Sequence, residues 1–300
     1  DRATAAFPTP LPPVAPAGGL IHAGSVAGVL NAVGDVDAFT VSLDPGQAAS
    51  VTLDPQTGSV QARLEFFAPD STSLGVVDAS AAGQTVYLQT LPVAVGGTYR
   101  IEVTSLAGAG AFDLRMTLNA AVEEETLGGA ANNNLAGAQD LAAAWIGPGN
   151  GSQRAAVLGT ADGVGGSADL YRVDLAAGDV VTWMLTRLGS TQPTLELLDS
   201  AGTVLALSAG GTANPSQAVA DFVVPAGGAY YAQVRGSGDY SLLVLRNTDF
   251  EAAEYVYFTD FQSGAGAEWS TTATDNSVAA FTQFLGRFSN GSATLTLPTV

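Results

Sequence analysis

Cysteine and lysine are both absent from the 300 residues, and histidine occurs once, as His22. Without cysteine there is no disulfide, thiolate zinc site, iron–sulfur cluster or thiol nucleophile. Without lysine, a phosphate-binding loop of the usual kind loses its cation. All 10 basic residues are arginine, set against 28 acidic ones, for a net charge of −18. That imbalance excludes nucleic acid as a natural partner and disfavours adhesion to anionic lipid. No apolar run approaches the roughly 18 residues of a membrane helix, so no membrane span is expected. A serine–histidine–aspartate triad would have to use His22, and no Gly-x-Ser-x-Gly elbow supplies its nucleophile. A glycosidase needs two carboxyl groups flanking a cleft. The acids here fall mostly in turns and at outward strand positions, where capping and solvation account for them. The expectation is a protein that is not an enzyme.

What is present is apolar and strand-like. Charged residues make up 13% and hydrophobic ones 47%, so the fold must rest on apolar packing beneath a surface of Ser, Thr, Gly and Asn. From about residue 20 the chain breaks into short runs: "DAFTVSL", "ASVTLD", "ARLEFFA", "TVYLQTL", "TYRIEV" and "AFDLRMTL". Alternation with period two, β-branched and aromatic enrichment, and Gly, Asp or Pro between runs predict antiparallel strands. In "TYRIEV", Tyr99, Ile101 and Val103 are expected to face inward, Arg100 and Glu102 outward. Trp183 alternates with Val181 and Leu185 and is expected in a core. Trp145 and Trp269 flank loops, where packing and a stacking platform for sugar rings both stay open.

The plan is written twice. The Asp-x-aromatic phrase of Asp37 and Phe39 returns at Asp169 and Tyr171, an offset of 132. "LE" at Leu64 returns at Leu195, and "GGTYRIEV" from Gly96 returns as "GGAYYAQV" from Gly227, both at 131. "FDL" at Phe112 returns as "YSL" at Tyr240, an offset of 128. Small drifts about one offset are what loop insertions and deletions produce in a duplicated domain. The expected class is all-β: two tandem antiparallel, jelly-roll-like β-sandwich domains plus a partial third β segment.

Residues 1–19, with proline at positions 8, 10, 12, 13 and 16, are expected to form an extended linker. The first sandwich is assigned to 20–119 and the second to 137–247. Between them, residues 120–136 read as a polar junction marked by Glu123 to Glu125 and Asn132 to Asn134. "LAGAQDLAAAW" is expected to form a turn or two of helix, and 248–300 an incomplete β domain. The chain opens at Asp1 rather than Met and shows no leader. With its low charge, it is expected to be a piece of a larger bacterial protein, extracellular or on the cell surface.

Both halves resemble the bacterial pre-peptidase C-terminal domain family. The second copy carries "ADLYRVDLAAGD", "LELLDSAGTVLA" and "GGAYYAQVRGSGDYSLLV"; the first carries "VDAFTVSLDPGQ", "LEFFAPDSTSLG" and "GGTYRIEVTSLAGAGAFDLRM". The resemblance covers roughly residues 20–247. It implies a noncatalytic sandwich appended to secreted proteases and surface proteins, which binds a substrate polymer, aids secretion or acts as a spacer. The tail, "FTDFQSGAGAEWS" with "FLGRFSNGSATLTL", resembles the first strands of a lectin-like jelly roll.

The resemblance also implies a cation. Some members, notably in collagen-degrading enzymes, bind calcium through a Glu-x-Glu segment before the sandwich and an Asp just before the aromatic of its first full strand. Glu123 and Glu125 match the pair, Asp169 matches the strand Asp, and Asp162 is a further loop candidate. Calcium suits an all-oxygen site that needs neither Cys nor His. The Asn-Asp that follows in those members is replaced by "TLGG", and Asn132 to Asn134 arrive later. In the first copy Asp35 and Asp37 hold the strand position, but no acidic pair precedes them. The structural alternative for Asp37 and Asp169 is acceptance of backbone N–H bonds where the chain turns into the strand. The expected function is a noncatalytic binding or spacer module whose partners are neighbouring domains of its own polypeptide and an extracellular protein or polysaccharide. The alternative is a structural stalk, or a subunit of an adhesin or fibre.

Overall fold

The computed structural model describes residues 2–147, 152–163, 168–191, 193–210 and 215–248. The expectations for residues 249–300, Trp269 included, lie outside the described residues.

Ten strands build the first sandwich: β1 Arg2–Ala6, β2 Pro13–Val14, β3 Ile21–Leu30, β4 Val36–Leu43, β5 Ala48–Pro55, β6 Gln61–Phe67, β7 Ser73–Asp78, β8 Val86–Pro92, β9 Gly97–Ala107 and β10 Gly110–Leu118. They form two sheets, ordered β1-β4-β9-β6-β7 and β2-β3-β10-β5-β8. The alternation read from "TYRIEV" holds, with Tyr99, Ile101 and Val103 fully buried. Those side chains pack with Leu64, Phe66, Leu53 and Phe112 in one core between the sheets, the layered burial that period-two sequences dictate.

The second sandwich repeats the topology. Its strands are β11 Ala121–Val122, β12 Gln139–Asp140, β13 Gln153–Asp162, β14 Ala168–Leu175, β15 Val180–Arg187, β16 Thr194–Leu198, β17 Val204–Leu207, β18 Ala209–Gly210, β19 Gln217–Val223, β20 Gly228–Arg235 and β21 Ser237–Arg246. The order β4-β9-β6-β7 returns as β14-β20-β16-β17, and β3-β10-β5-β8 as β13-β21-β15-β19. Trp183 is fully buried at the centre of this second core, among Tyr171, Leu185, Leu197 and Val244. The class is thus all-β, and the duplication in the sequence is a duplication of sheet order.

The proline-rich segment departs from the linker expectation. β1 lies parallel to β4 and β2 antiparallel to β3. Phe7 is 1% exposed and Leu11 8%, and both belong to the first core. A Cβ on Gly24 would stand 2.7 Å from Leu11 Cδ2 and 3.7 Å from Phe7 Cε1, so glycine there leaves room for the strap. Prolines are tolerated at sheet edges, where no outward N–H is needed, and two apolar side chains anchor the run.

Two further expectations change. "LAGAQDLAAAW" forms β12 and a single 3-10 turn at Ala142–Ala144, because Gln139 and Asp140 pair with β14. The stretch expected as a polar junction buries Ala120, Ala121 and Glu123. Ala120 and Ile21 pack with Ala156, Met184, Leu243 and Leu245 of the second sandwich in a small core of their own. That contact explains why β21 is buried on both faces from Tyr240 to Leu245. Ser241 and Arg154 also donate hydrogen bonds from the second sandwich to the carbonyl oxygens of Ala15 and Gly19.

A buried acidic cluster at the entry to the second sandwich

The segment joining the sandwiches runs between them with its glutamates turned alternately. Glu124 faces the first sandwich, where its Oε1 accepts from Gln89 Nε2 at 3.2 Å. Gln89 also accepts the Val122 N–H through Oε1, at 2.8 Å. Glu123 turns into the second sandwich and is 2% exposed; its Oε2 accepts the Thr160 N–H at 2.8 Å. After a 3-10 turn at Glu125–Leu127, Gly128 takes a left-handed conformation at φ 79°, which reverses the chain where a side chain would be strained.

That reversal brings the asparagine run back. Asn132, 1% exposed, donates through Nδ2 to Glu123 Oε1 at 3.4 Å. Its backbone N–H and the Asn133 amide donate to the two oxygens of Glu125, at 3.2 and 3.1 Å. The Asn132 carbonyl accepts the Leu170 N–H, which ties the loop to β14 beside Asp169. The insertion "TLGG" thus delays the asparagines in sequence without removing them from the site.

Asp169 is 5% exposed. Its Oδ2 accepts the Tyr240 hydroxyl at 2.7 Å, and the Tyr240 oxygen lies 2.6 Å from that of Tyr171. The structural expectation for this residue therefore changes: its recorded partner is a phenol, not a backbone N–H. In the first copy the turn-closing acceptor is Asp35, which takes the Asn31 N–H at 2.7 Å.

Burial pushes the Glu123 carboxyl up to about 7, against the Thr160 N–H that favours its charge; the neighbouring Asp169 raises it further. Asp169 is pushed up to about 6, again chiefly by burial, opposed by the Tyr240 hydroxyl and reinforced by the charges of Glu125 and Asp162. Glu123 and Asp169 lie close enough for each to act on the other's titration, so the two carboxyls titrate as a pair.

The four residues expected as calcium ligands do not close into one shell. Glu123 and Asp169 meet, Glu125 is held by the asparagines, and Asp162 stands exposed at the end of β13. Among the described residues, no three His, Cys, Asp or Glu side chains form a metal centre by themselves. The oxygen set nevertheless fits a hard cation. Asn132 Oδ1 is buried with no hydrogen-bond partner, an expensive state for an acceptor unless something positive meets it. Two buried carboxylates beside an orphaned amide oxygen are donors of the kind calcium takes. Backbone carbonyls, water or a turned Glu125 would complete its shell of about six to eight.

Neither Asn132 nor the two tyrosines was among the site residues expected from sequence. Their signal was the second copy's departure from the first: Phe39 and Phe112 become Tyr171 and Tyr240. The other candidates resolve simply. His22 lies in β3 with Nδ1 3.2 Å from the Leu20 carbonyl, and Trp145 packs against the second core with the Arg246 guanidinium 5.3 Å above its ring. Asp199 accepts the N–H groups of Ala201 and Thr203, and Asp70 that of Thr72. These bonds hold both carboxyls below their ordinary value; they are turn acids.

These features define a β-sandwich module with an acidic site where the preceding segment enters it. Residues 167–236, spanning β14 to β20, match the model of the bacterial pre-peptidase C-terminal domain. A comparison with curated proteins returned no match. Among solved structures the chain is similar to PliG of Aeromonas hydrophila, a periplasmic inhibitor of g-type lysozyme, at 16% identity over 39% of this chain and 99% of that one, with a TM-score of 0.29. The pre-peptidase C-terminal domain of Bacillus anthracis collagenase matches at 13% identity over 39% of this chain and 94% of that one, TM-score 0.24. A Bacillus endospore-appendage pilus protein matches at 16% identity over 33% and 85%, TM-score 0.25. Among the described residues, no helix is long and apolar enough to cross a membrane.

Proposed function

We propose that this chain is a noncatalytic extracellular module of a larger secreted or cell-surface protein, and that calcium orders the entry to its second sandwich. The observation that carries the reading is Asn132 Oδ1, buried without a partner beside the Glu123 and Asp169 carboxyls. In this reading Glu123, Asp169 and Asn132 supply side-chain oxygens, and bound calcium neutralises charge that burial otherwise penalises. The module presents a neighbouring domain and engages an extracellular protein or polysaccharide polymer.

The test is thermal unfolding of the full chain in EDTA and in millimolar calcium, repeated with Asp169→Ala. Preferential binding to the folded state is expected to add about 2.7 kcal/mol when free calcium is about 100 times the dissociation constant. The midpoint rises in the wild type and stays unmoved in the variant. Superimposable wild-type curves would end the calcium reading.

A second reading, a rigid stalk or fibre subunit, is favoured by the apolar contact of Ile21 and Ala120 with Met184, Leu243 and Leu245. Leu243→Asp places an unpaired charge in that contact, and opening the junction is the cheapest way to solvate it. Both sandwich cores lie elsewhere. The expected outcome is two sandwiches that stay folded but reorient independently, read as a broadened conformational ensemble in small-angle scattering. Scattering unchanged from wild type would mean that the junction does not set their orientation.

A further inference from the structure

The chain contains its own control for the acidic site. Phe39 and Phe112 of the first core pack edge to face, with ring centroids 6.2 Å apart and planes at 85°. At the equivalent places Tyr171 and Tyr240 repeat the geometry at 6.4 Å and 73°. Apolar packing at these positions therefore needs rings and no hydroxyls. The facing glycines agree. A Cβ on Gly28 would come within 2.2 Å of Phe112 Cζ, and one on Gly159 within 2.6 and 2.7 Å of the Tyr240 and Tyr171 hydroxyls. Each copy clears space for its rings, and the second clears it for the oxygens too.

A fully buried phenol is costly unless its hydroxyl is bonded. Both tyrosines are fully buried, and their two hydroxyls have a single direction. Tyr240 spends its one proton on Asp169 Oδ2, so the 2.6 Å contact between the phenols must be donated by Tyr171. The donors run from Tyr171 through Tyr240 to the carboxylate. Asp169 is fixed through one oxygen, and Oδ1 is left for Glu123 or for a cation. Asn132 Oδ1 is left without a donor.

We propose that Tyr171 and Tyr240 are positioning residues of the acidic site. Their hydroxyl chain orients Asp169 and aims its second oxygen at a divalent cation. The inference rests on the calcium reading above. It adds that the second copy recruited its core aromatic pair to hold a ligand, whereas the first copy uses the same pair for packing alone.

The test measures calcium affinity by isothermal titration calorimetry, and unfolding midpoints in EDTA and in calcium, for the full chain and for Tyr240→Phe, Tyr171→Phe and the double variant. Phenylalanine is what the first copy carries, so the fold is expected to survive. Loss of an outer partner of a metal ligand is expected to weaken binding about 10- to 100-fold, more for Tyr240→Phe than for Tyr171→Phe. A merely structural role would move the EDTA and calcium midpoints together and leave affinity intact. Wild-type binding with unchanged affinity in both single variants overturns the positioning role and leaves the calcium reading standing. Absence of calcium binding by the wild type overturns both. Should Tyr240→Phe fail to fold, Tyr171→Phe, one bond further from the carboxylate, decides by the same criterion.

Discussion

Replacing Phe7 with alanine is expected to lower the stability of the first sandwich by about 3–5 kcal/mol, the usual cost of emptying a buried aromatic site. The side chain is 1% exposed and its backbone N–H donates to the Thr40 carbonyl at 2.8 Å, so it anchors the end of β1 against β4. A proline-rich spacer predicts the opposite, a change within about 0.5 kcal/mol, as for a surface residue. All three tryptophans lie at or beyond residue 145, so intrinsic fluorescence does not report the first sandwich. Differential scanning calorimetry is the appropriate measurement. A Phe7→Ala midpoint equal to wild type would remove residues 2–14 from the folded unit.

Without divalent cations, the second sandwich is expected to lose about 3 kcal/mol of stability as pH rises from about 4 to about 8. Glu123 moves from 4.5 to about 7 and Asp169 from 3.8 to about 6. A carboxyl whose folded value is raised binds its proton more tightly in the folded state. Its contribution is therefore complete below the unfolded value, near 4, and is lost as pH climbs through the folded one. The two groups act on each other's titration, so their shifts are not summed and the figure is for the pair. Denaturant unfolding in EDTA at pH 4.5, 6 and 8, monitored by Trp183 fluorescence, reads it directly. The slope should shrink in Glu123→Gln, which keeps the shape without the charge, and the part due to the buried Asp169 should remain. A wild-type stability that rises with pH over this range would mean that the two carboxyls are not buried as a pair.

The architecture was largely legible in sequence because a half-buried strand writes its exposure in alternate residues. Tyr99, Ile101 and Val103 declared their face, and the return of Asp-x-aromatic at Asp169 and Tyr171 declared the duplication. The proline-rich opening was misread because local composition speaks for an extended backbone and says nothing of what lies beside it. Polyproline-like chain and edge strand differ in their neighbours, and only Phe7 and Leu11, two apolar residues among the prolines, hinted at an anchor. The "LAGAQDLAAAW" segment failed for a related reason: pairing of Gln139 and Asp140 with β14 outweighs a weak preference for helix.

The acidic site divides in the same way. Glu123, Glu125 and Asp169 were nameable through the family resemblance alone, but which of them meet depends on a reversal at Gly128 that returns Asn132 to Glu123. The Tyr240 hydroxyl that holds Asp169 and the Tyr171 hydroxyl behind it come from β21 and β14, 69 residues apart.

By itself, the sequence determined the all-β class, the tandem repeat, and the exclusion of thiol and phosphate-loop chemistry. These follow from residue type and from periods of two and about 131, which are local or additive properties. The tertiary structure alone decided that the N-terminal segment is a strap, that Glu123 and Asp169 are buried as neighbours, and that the Tyr240 hydroxyl meets Asp169. Such facts depend on which strands lie side by side. Contacts between residues far apart in the chain arise from packing the whole, and no local pattern encodes them.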